Sequence, residues 1–158
     1  MRIKTSPIIG VTVKQLLFLS LLLFSFSAFS CPNFSGEYLD EMDGTYFAIE
    51  QKDCATIDYI YDEGVVTAII DGEDHLVNQY EIVVEEGKVL ATVEIYQTHS
   101  FNKKTLITHG RSETVYASGE SEIHKETSET YLDKNNNMIS VTKDENGDKE
   151  KTIFTRVN

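Results

Sequence analysis

Short segments in which β-branched or aromatic residues alternate with polar residues recur along residues 31–158, and turn signals separate them. This alternation constrains the fold most strongly, because a period of two places apolar side chains on one face of a strand, whereas a helix needs a period of 3.6 that is not sustained here. The predicted strands are 35–39, 45–51, 55–62, 65–70, 79–85, 88–97, 104–109, 112–118, 121–132, 138–143 and 151–157. We therefore predict an all-β fold, an antiparallel meander of about ten strands.

Tight turns connect most of these strands to their neighbours in sequence. The turn signals are Asp43-Gly44, Asp71-Gly72, Glu86-Gly87 and Asn146-Gly147, in which glycine supplies the left-handed backbone. A meander of this kind forms either a closed up-and-down barrel or a strongly curled sheet with protected edges, and both alternatives stay open. Residues 65–70 are apolar on both faces, so we expect them in the centre of the sheet.

Residues 1–30 have the pattern of a secretory signal peptide. Arg2, Lys4 and Lys14 precede an apolar run at 16–29, and small residues flank Phe29 just before Cys31. The run of fourteen residues is shorter than the roughly 17 to 25 needed to span a bilayer. We expect cleavage before Cys31, no transmembrane anchor after cleavage, and one periplasmic or secreted all-β domain at 31–158.

The only two cysteines in the sequence, Cys31 and Cys54, lie at the start of this predicted domain. In an exported chain they are most simply paired in one disulfide, which would stabilise the fold by about 3 kcal/mol. The alternative is a lipoprotein in which Cys31 carries a lipid, and this would leave Cys54 as an odd thiol in an oxidising compartment.

The predicted mature domain is strongly acidic. It has 11 Lys and Arg residues against 26 Asp and Glu residues, a net charge of −15. Such a charge repels polyphosphates and anionic lipid surfaces. We therefore expect no nucleic-acid partner.

The two ends of the predicted domain carry a pair of matching signals. Gly36-Glu37-Tyr38 begins the first strand, and Arg156 lies in the last. This arrangement resembles the calycin group, which comprises lipocalins, fatty-acid-binding proteins and avidins, where a Gly-x-Trp on the first strand packs beneath a late arginine. Here Tyr38 replaces the tryptophan. The resemblance implies that Tyr38 packs near Arg156, joins the first and last strands, and closes a barrel around a small, partly apolar ligand.

Four tyrosines are candidates to line such a cavity. Tyr59 and Tyr61 lie on one side of the predicted strand 55–62, whereas Tyr96 lies in 88–97 and Tyr116 in 112–118. A tyrosine combines an apolar ring with a hydrogen-bonding tip, as ligand pockets require. The alternative is that they are ordinary core and girdle residues.

The unusually polar segment 121–132 contains a candidate metal site. Glu122, His124 and Glu126 project from one face if the segment is a strand, and His109 on a nearby strand could reach the same patch. His and carboxylate ligands suit zinc. The alternative is a solvent-facing polar strand or a barrel rim.

The sequence contains little that would support catalytic activity. The sequence has no Gly-x-Ser-x-Gly, and His99-Ser100 is expected to be a loop dipeptide with nothing to orient it. A hydrolase remains only a residual alternative. We expect an exported, non-catalytic protein that binds a small apolar or amphipathic ligand. The second interpretation is an envelope interaction module with a filled core, no ligand and a protein partner.

Overall fold

The computed structural model describes residues 31–84 and 87–157, and these residues form one antiparallel sheet of ten strands. The predicted signal peptide, residues 1–30, lies outside the described residues. The strands are β1 (Gly36–Asp40), β2 (Tyr46–Lys52), β3 (Thr56–Tyr61), β4 (Gly64–Ile69), β5 (Asp74–Val83), β6 (Val89–Asn102), β7 (Thr105–Tyr116), β8 (Ser121–Leu132), β9 (Met138–Asp144) and β10 (Lys149–Val157). The all-β prediction is confirmed. Among the described residues, none forms a helix that could span a membrane.

The strand order β4-β3-β2-β1-β10-β9-β8-β7-β6-β5 makes the sheet a meander in which β1 pairs with β10 near the middle. The two edges of the sheet are β4 and β5, which follow one another in the chain but do not pair. The result is a strongly curled half-barrel rather than a closed barrel. Of the two predicted alternatives, the curled sheet is therefore the one that forms.

The expectation that residues 65–70 lie in the centre of the sheet is wrong. They form β4, an edge strand, in which the side chains of Val65 and Val66 are 60% and 56% exposed. An apolar run cannot by itself distinguish a strand covered on both faces from an uncovered edge. Here the run remains on the surface at the opening of the half-barrel.

Three strands, β5, β6 and β7, are at least three residues longer than the sequence predicts. The structure continues β7 through Gly110 and Arg111, where the sequence predicts a break, and extends β6 through His99 to Asn102. Gly110 lies inside β7 and leaves room for the Glu126 side chain: a Cβ at this position would come within 2.9 Å of the Glu126 Cγ. β5 begins at Asp74 rather than at residue 79.

The hydrophobic core lies on the concave face near the N-terminal segment. Its fully buried side chains come from distant parts of the chain, and they are Phe34, Tyr38, Phe47, Ile49, Ile57, Ala68, Leu106 and Met138. Phe34 stacks against Phe101 at a centroid distance of 6.4 Å, so the segment before β1 packs across the sheet onto β6.

The Cys31–Cys54 disulfide is present and holds this N-terminal segment beside the turn after β2. The backbone N–H of Phe34 donates to the side-chain carbonyl of Gln51 at 2.9 Å, which fixes the segment further. The Sγ atom that a lipid on Cys31 would need is used in the disulfide. The bond is compatible with an oxidising, extracellular compartment.

The polar segment 121–132 forms β8, which pairs with β7 and β9 on its two sides. Its first six residues, Ser121–Glu126, are exposed although the strand is internal. The sheet is therefore uncovered on both faces in this region, and this explains why the segment is polar without being an edge.

Candidate ligand-binding site

The concave face of the half-barrel bounds a cavity of about 640 Å³, which we call the trough. Its lining comes from both edges of the sheet and from the strands between them, and it includes Tyr59, Tyr61, Val66, Ala68, His75, Gln97, His99, Thr108, Glu126, Ser128, Thr130 and Ser140. Because β4 and β5 do not pair, the trough lies at the gap between the two edges.

One wall of the trough is aromatic. The alternation of β3 directs Ile57, Tyr59 and Tyr61 to the concave face, where the Phe47 ring lies 6.5 Å from Tyr59 and 5.5 Å from Tyr61 between ring centroids. A smaller space of about 140 Å³ continues the trough between these rings and Met138.

Burial raises the pKa of Tyr59 to about 12, with smaller contributions from the neighbouring Tyr61 and Tyr38. The phenol is therefore neutral at physiological pH and can both donate and accept a hydrogen bond. Neither the Tyr59 nor the Tyr61 hydroxyl bonds to another described residue, and neither is sealed from the cavity. Both hydroxyls can therefore pair with a molecule in the trough.

The facing wall is formed by serine and threonine side chains, which present hydroxyl groups to the trough. The register pairs Thr108 with Ser128, and Thr130 with Ser140, so β7, β8 and β9 present these side chains on the same face. Thr130 donates to Ser140 at 3.2 Å, and further along the wall the hydroxyls of Ser128 and Thr142 lie 2.7 Å apart. This wall combines small side chains with hydrogen-bonding atoms.

His99 belongs to the trough and not to a loop, which corrects the expectation for the His99-Ser100 dipeptide. It lies in β6, is 6% exposed, and its Nδ1 is 3.0 Å from the hydroxyl of Thr108. Burial lowers the pKa of His99, and the nearby His75 lowers it further, so the imidazole is held neutral. His75 itself contacts the Asp71 carboxylate at 2.9 Å.

The four candidate tyrosines separate into two groups. Tyr59 and Tyr61 line the trough. Tyr96 does not, because it lies opposite Arg111 on the convex face, and the guanidinium carbon is 4.1 Å from the centre of its ring. Tyr116 is outside the trough near the end of β7 and donates to Glu122 at 3.0 Å.

The metal candidates do not form one patch. Glu122, His124 and Glu126 share the concave face, as predicted, but His109 is on the convex face. The expectation for His109 is therefore wrong, because it pairs with Thr127 in the register and contacts that hydroxyl at 3.0 Å.

The residues on the concave face also contact different neighbours. His124 lies 3.4 Å from Glu145, whereas Glu126 lies over Gly110. Residues 31–84 and 87–157 contain no group of three or more His, Cys, Asp or Glu side chains that could hold a metal ion. The structure therefore provides no assembled zinc site in this region.

The structure places Tyr38 directly opposite Arg156, so the first and last strands join there. The Tyr38 hydroxyl donates to the backbone carbonyl of Phe34 at 2.8 Å, and the Arg156 guanidinium donates to the carbonyl of Ser35. This pair completes the middle of the sheet, whereas the opening is at β4 and β5.

Comparison of the chain with protein-family models, curated proteins and solved structures finds no match. Functional interpretation therefore depends on the trough. The hydroxyl wall of the trough was not predicted from the sequence. One signal was available, because Ser128 and Thr130 follow Glu126 at a period of two in the segment predicted as a strand.

Proposed function

We propose that this protein is a non-catalytic binding protein that holds a small, partly apolar ligand in the trough. One observation carries the proposal: a wall of tyrosine rings faces a wall of hydroxyl groups across a single cavity of about 640 Å³. Ligand sites commonly have volumes of about 300 to 1,000 Å³ and combine apolar lining with a few polar groups that orient the ligand.

The chemistry of the two walls defines the ligand. Tyr59 and Tyr61 offer ring faces together with hydroxyls that have no partner among the described residues, and Thr108 and Ser140 offer hydroxyls on the other side. The net charge of −15 in residues 31–158 disfavours an anion. A neutral or cationic amphipathic molecule satisfies both walls.

Further features support this function. Tyr38 packs near Arg156 and joins the first and last strands, as the calycin resemblance implies, although the pair does not close a barrel. The disulfide suits an exported protein of the periplasm or the exterior. The alternative of an interaction module with a filled core is less well supported, because part of the concave face stays open as the trough.

A titration with Nile red, a neutral apolar dye, tests the proposal. We expect saturable binding at one site per chain. Val66→Trp, which places a large ring in the trough, should weaken binding by at least about tenfold, a loss of about 1.4 kcal/mol. Ile123→Trp is the matched control, because Ile123 is also exposed but lies outside the trough. Equal effects of both substitutions, or no saturable binding, would contradict the proposal.

A further inference from the structure

The two edge strands flank the opening of the half-barrel and each pairs on one side only. β4 pairs with β3, and β5 pairs with β6. The free side of an edge strand presents alternate N–H and C=O groups without strand partners, which is a template for another extended segment. β5 offers the longer template, with ten residues.

The β5 edge is irregular at two positions, but it lacks other features that usually protect an edge. Neither β4 nor β5 contains lysine or proline, and Leu76, Tyr80 and Val83 are 50%, 48% and 52% exposed. The register shifts at Val77, where β5 has one extra residue, and again after Ile82. The run from Asn78 to Ile82 between these irregularities keeps a regular register with β6, so it can accept a paired strand.

Charge around this edge indicates the kind of partner. Residues 53–84 contain eight Asp and Glu residues and no Lys or Arg. Lys52 bonds to Asp58 and Arg111 to Asp74, whereas Glu73 and Glu81 form no ion pair within residues 31–84 and 87–157. A second copy of this acidic chain would be repelled, whereas a basic segment would be attracted.

We propose that the β5 edge binds an extended, basic polypeptide segment in which apolar and cationic residues alternate. The segment adds a strand beside Asn78–Ile82, and its backbone pairs with the free N–H and C=O groups of β5. Its apolar side chains pack against Tyr80 and Ile82, and its cations lie near Glu81 and Glu73. The segment pairs with Asn78–Ile82, which do not line the trough, so it leaves room for a small ligand there.

A fluorescent synthetic peptide in which lysine and valine alternate is the probe for this surface, and a peptide in which glutamate and valine alternate is its control. We expect the basic peptide to bind the disulfide-bonded protein, more weakly at high salt, and the acidic peptide not to bind. Hydrogen exchange should show slower exchange of the β5 backbone amides in the complex, because pairing protects them.

Matched variants locate the site. Tyr80→Lys on β5 should weaken binding of the basic peptide by at least about tenfold, because it adds a charge where an apolar side chain of the peptide packs. Ile123→Lys adds the same charge at a side chain with the same 48% exposure on the internal strand β8, and should leave binding within about twofold. Val66→Trp should leave peptide binding unchanged, which separates this site from the trough.

Three results would overturn the proposal: equal binding of the acidic peptide, equal loss in the Tyr80→Lys and Ile123→Lys proteins, or protection of trough residues without protection of β5. Sedimentation of the protein alone tests whether a second copy of the chain binds this edge instead. A dimer that Tyr80→Lys dissociates would assign the edge to a second copy of the chain and contradict a basic partner.

Discussion

Tyr38 and Arg156 lie directly opposite each other where β1 pairs with β10, and the guanidinium carbon is 5.8 Å from the centre of the Tyr38 ring. Tyr38 is fully buried, and its ring also stacks on Phe47 at 5.8 Å. The pair therefore joins the two ends of residues 31–157 in the middle of the sheet, and it leaves the single gap in the described sheet at the β4 and β5 edges, where the trough lies.

Tyr38→Phe should lower the free energy of unfolding by about 1 to 3 kcal/mol, because the buried carbonyl of Phe34 loses its donor. Denaturant unfolding measures this change. Tyr80→Phe is the control, since Tyr80 is half-exposed in β5, has no hydrogen-bond partner for its hydroxyl among the described residues, and should change the stability by less than about 0.5 kcal/mol. Equal losses of unfolding free energy in the two variants would show that the Tyr38 hydroxyl contributes no more to stability than an exposed hydroxyl does.

Gly36→Ala should destabilise the protein because the new Cβ would come within 2.7 Å of the Arg156 guanidinium. Arg156 would then have to leave its contact with the carbonyl of Ser35. Thermal unfolding of both single variants and of the Gly36→Ala, Arg156→Ala double variant checks this cause. The effects should not add, because removing Arg156 also removes the clash. Strict additivity would contradict the proposed contact.

Replacing Cys31 and Cys54 together with serine should lower the free energy of unfolding by about 3 kcal/mol, since the disulfide closes a loop of two dozen residues. Reduction of the unmodified protein should reproduce the loss, and the serine variant should not respond to reductant. A stable, reductant-insensitive unmodified protein would argue against the bond.

The pH dependence of stability should report on His99. Because the folded-state pKa of His99 is lowered by burial, its stabilising contribution is fully present above the unfolded pKa of about 6.5 and is lost as the pH falls through the folded value. His99→Gln should therefore flatten the decline in melting temperature between about pH 7 and pH 5. His109→Gln, on the convex face, should retain the decline. An unchanged profile in the His99→Gln protein would contradict this assignment.

The alternation of apolar and polar residues was sufficient to predict the all-β class and the meander, because these follow from local spacing. The disulfide was predicted from the presence of only two cysteines in a chain expected to be exported. The alternation also placed Tyr59 and Tyr61 on one face of β3, where the trough is found. Asn136, in the turn before β9, adopts a left-handed backbone with φ of 63°, a conformation that asparagine tolerates better than most residues.

The remaining features depend on register and strand order, which local pattern does not contain. Tyr96 and His109 face away from the trough. Adjacent residues in a strand point to opposite faces, so a difference of one residue in the register decides whether a side chain faces the trough. The sequence placed residues 65–70 centrally because they are apolar on both faces. β4 is exposed because β5 does not pair with it, and that is a property of the whole sheet. His99 was assigned to a loop because β6 extends beyond its clearly alternating part.

Native mass spectrometry of the protein recovered from the cells that make it is the most direct test of a ligand in the trough. We expect a second species heavier by one small molecule at a stoichiometry of one per chain, and the loss of that species in the Val66→Trp protein but not in the Ile123→Trp protein. A spectrum that contains only the unliganded mass under gentle ionisation, or a bound molecule that both variants retain equally, would contradict a ligand site in the trough.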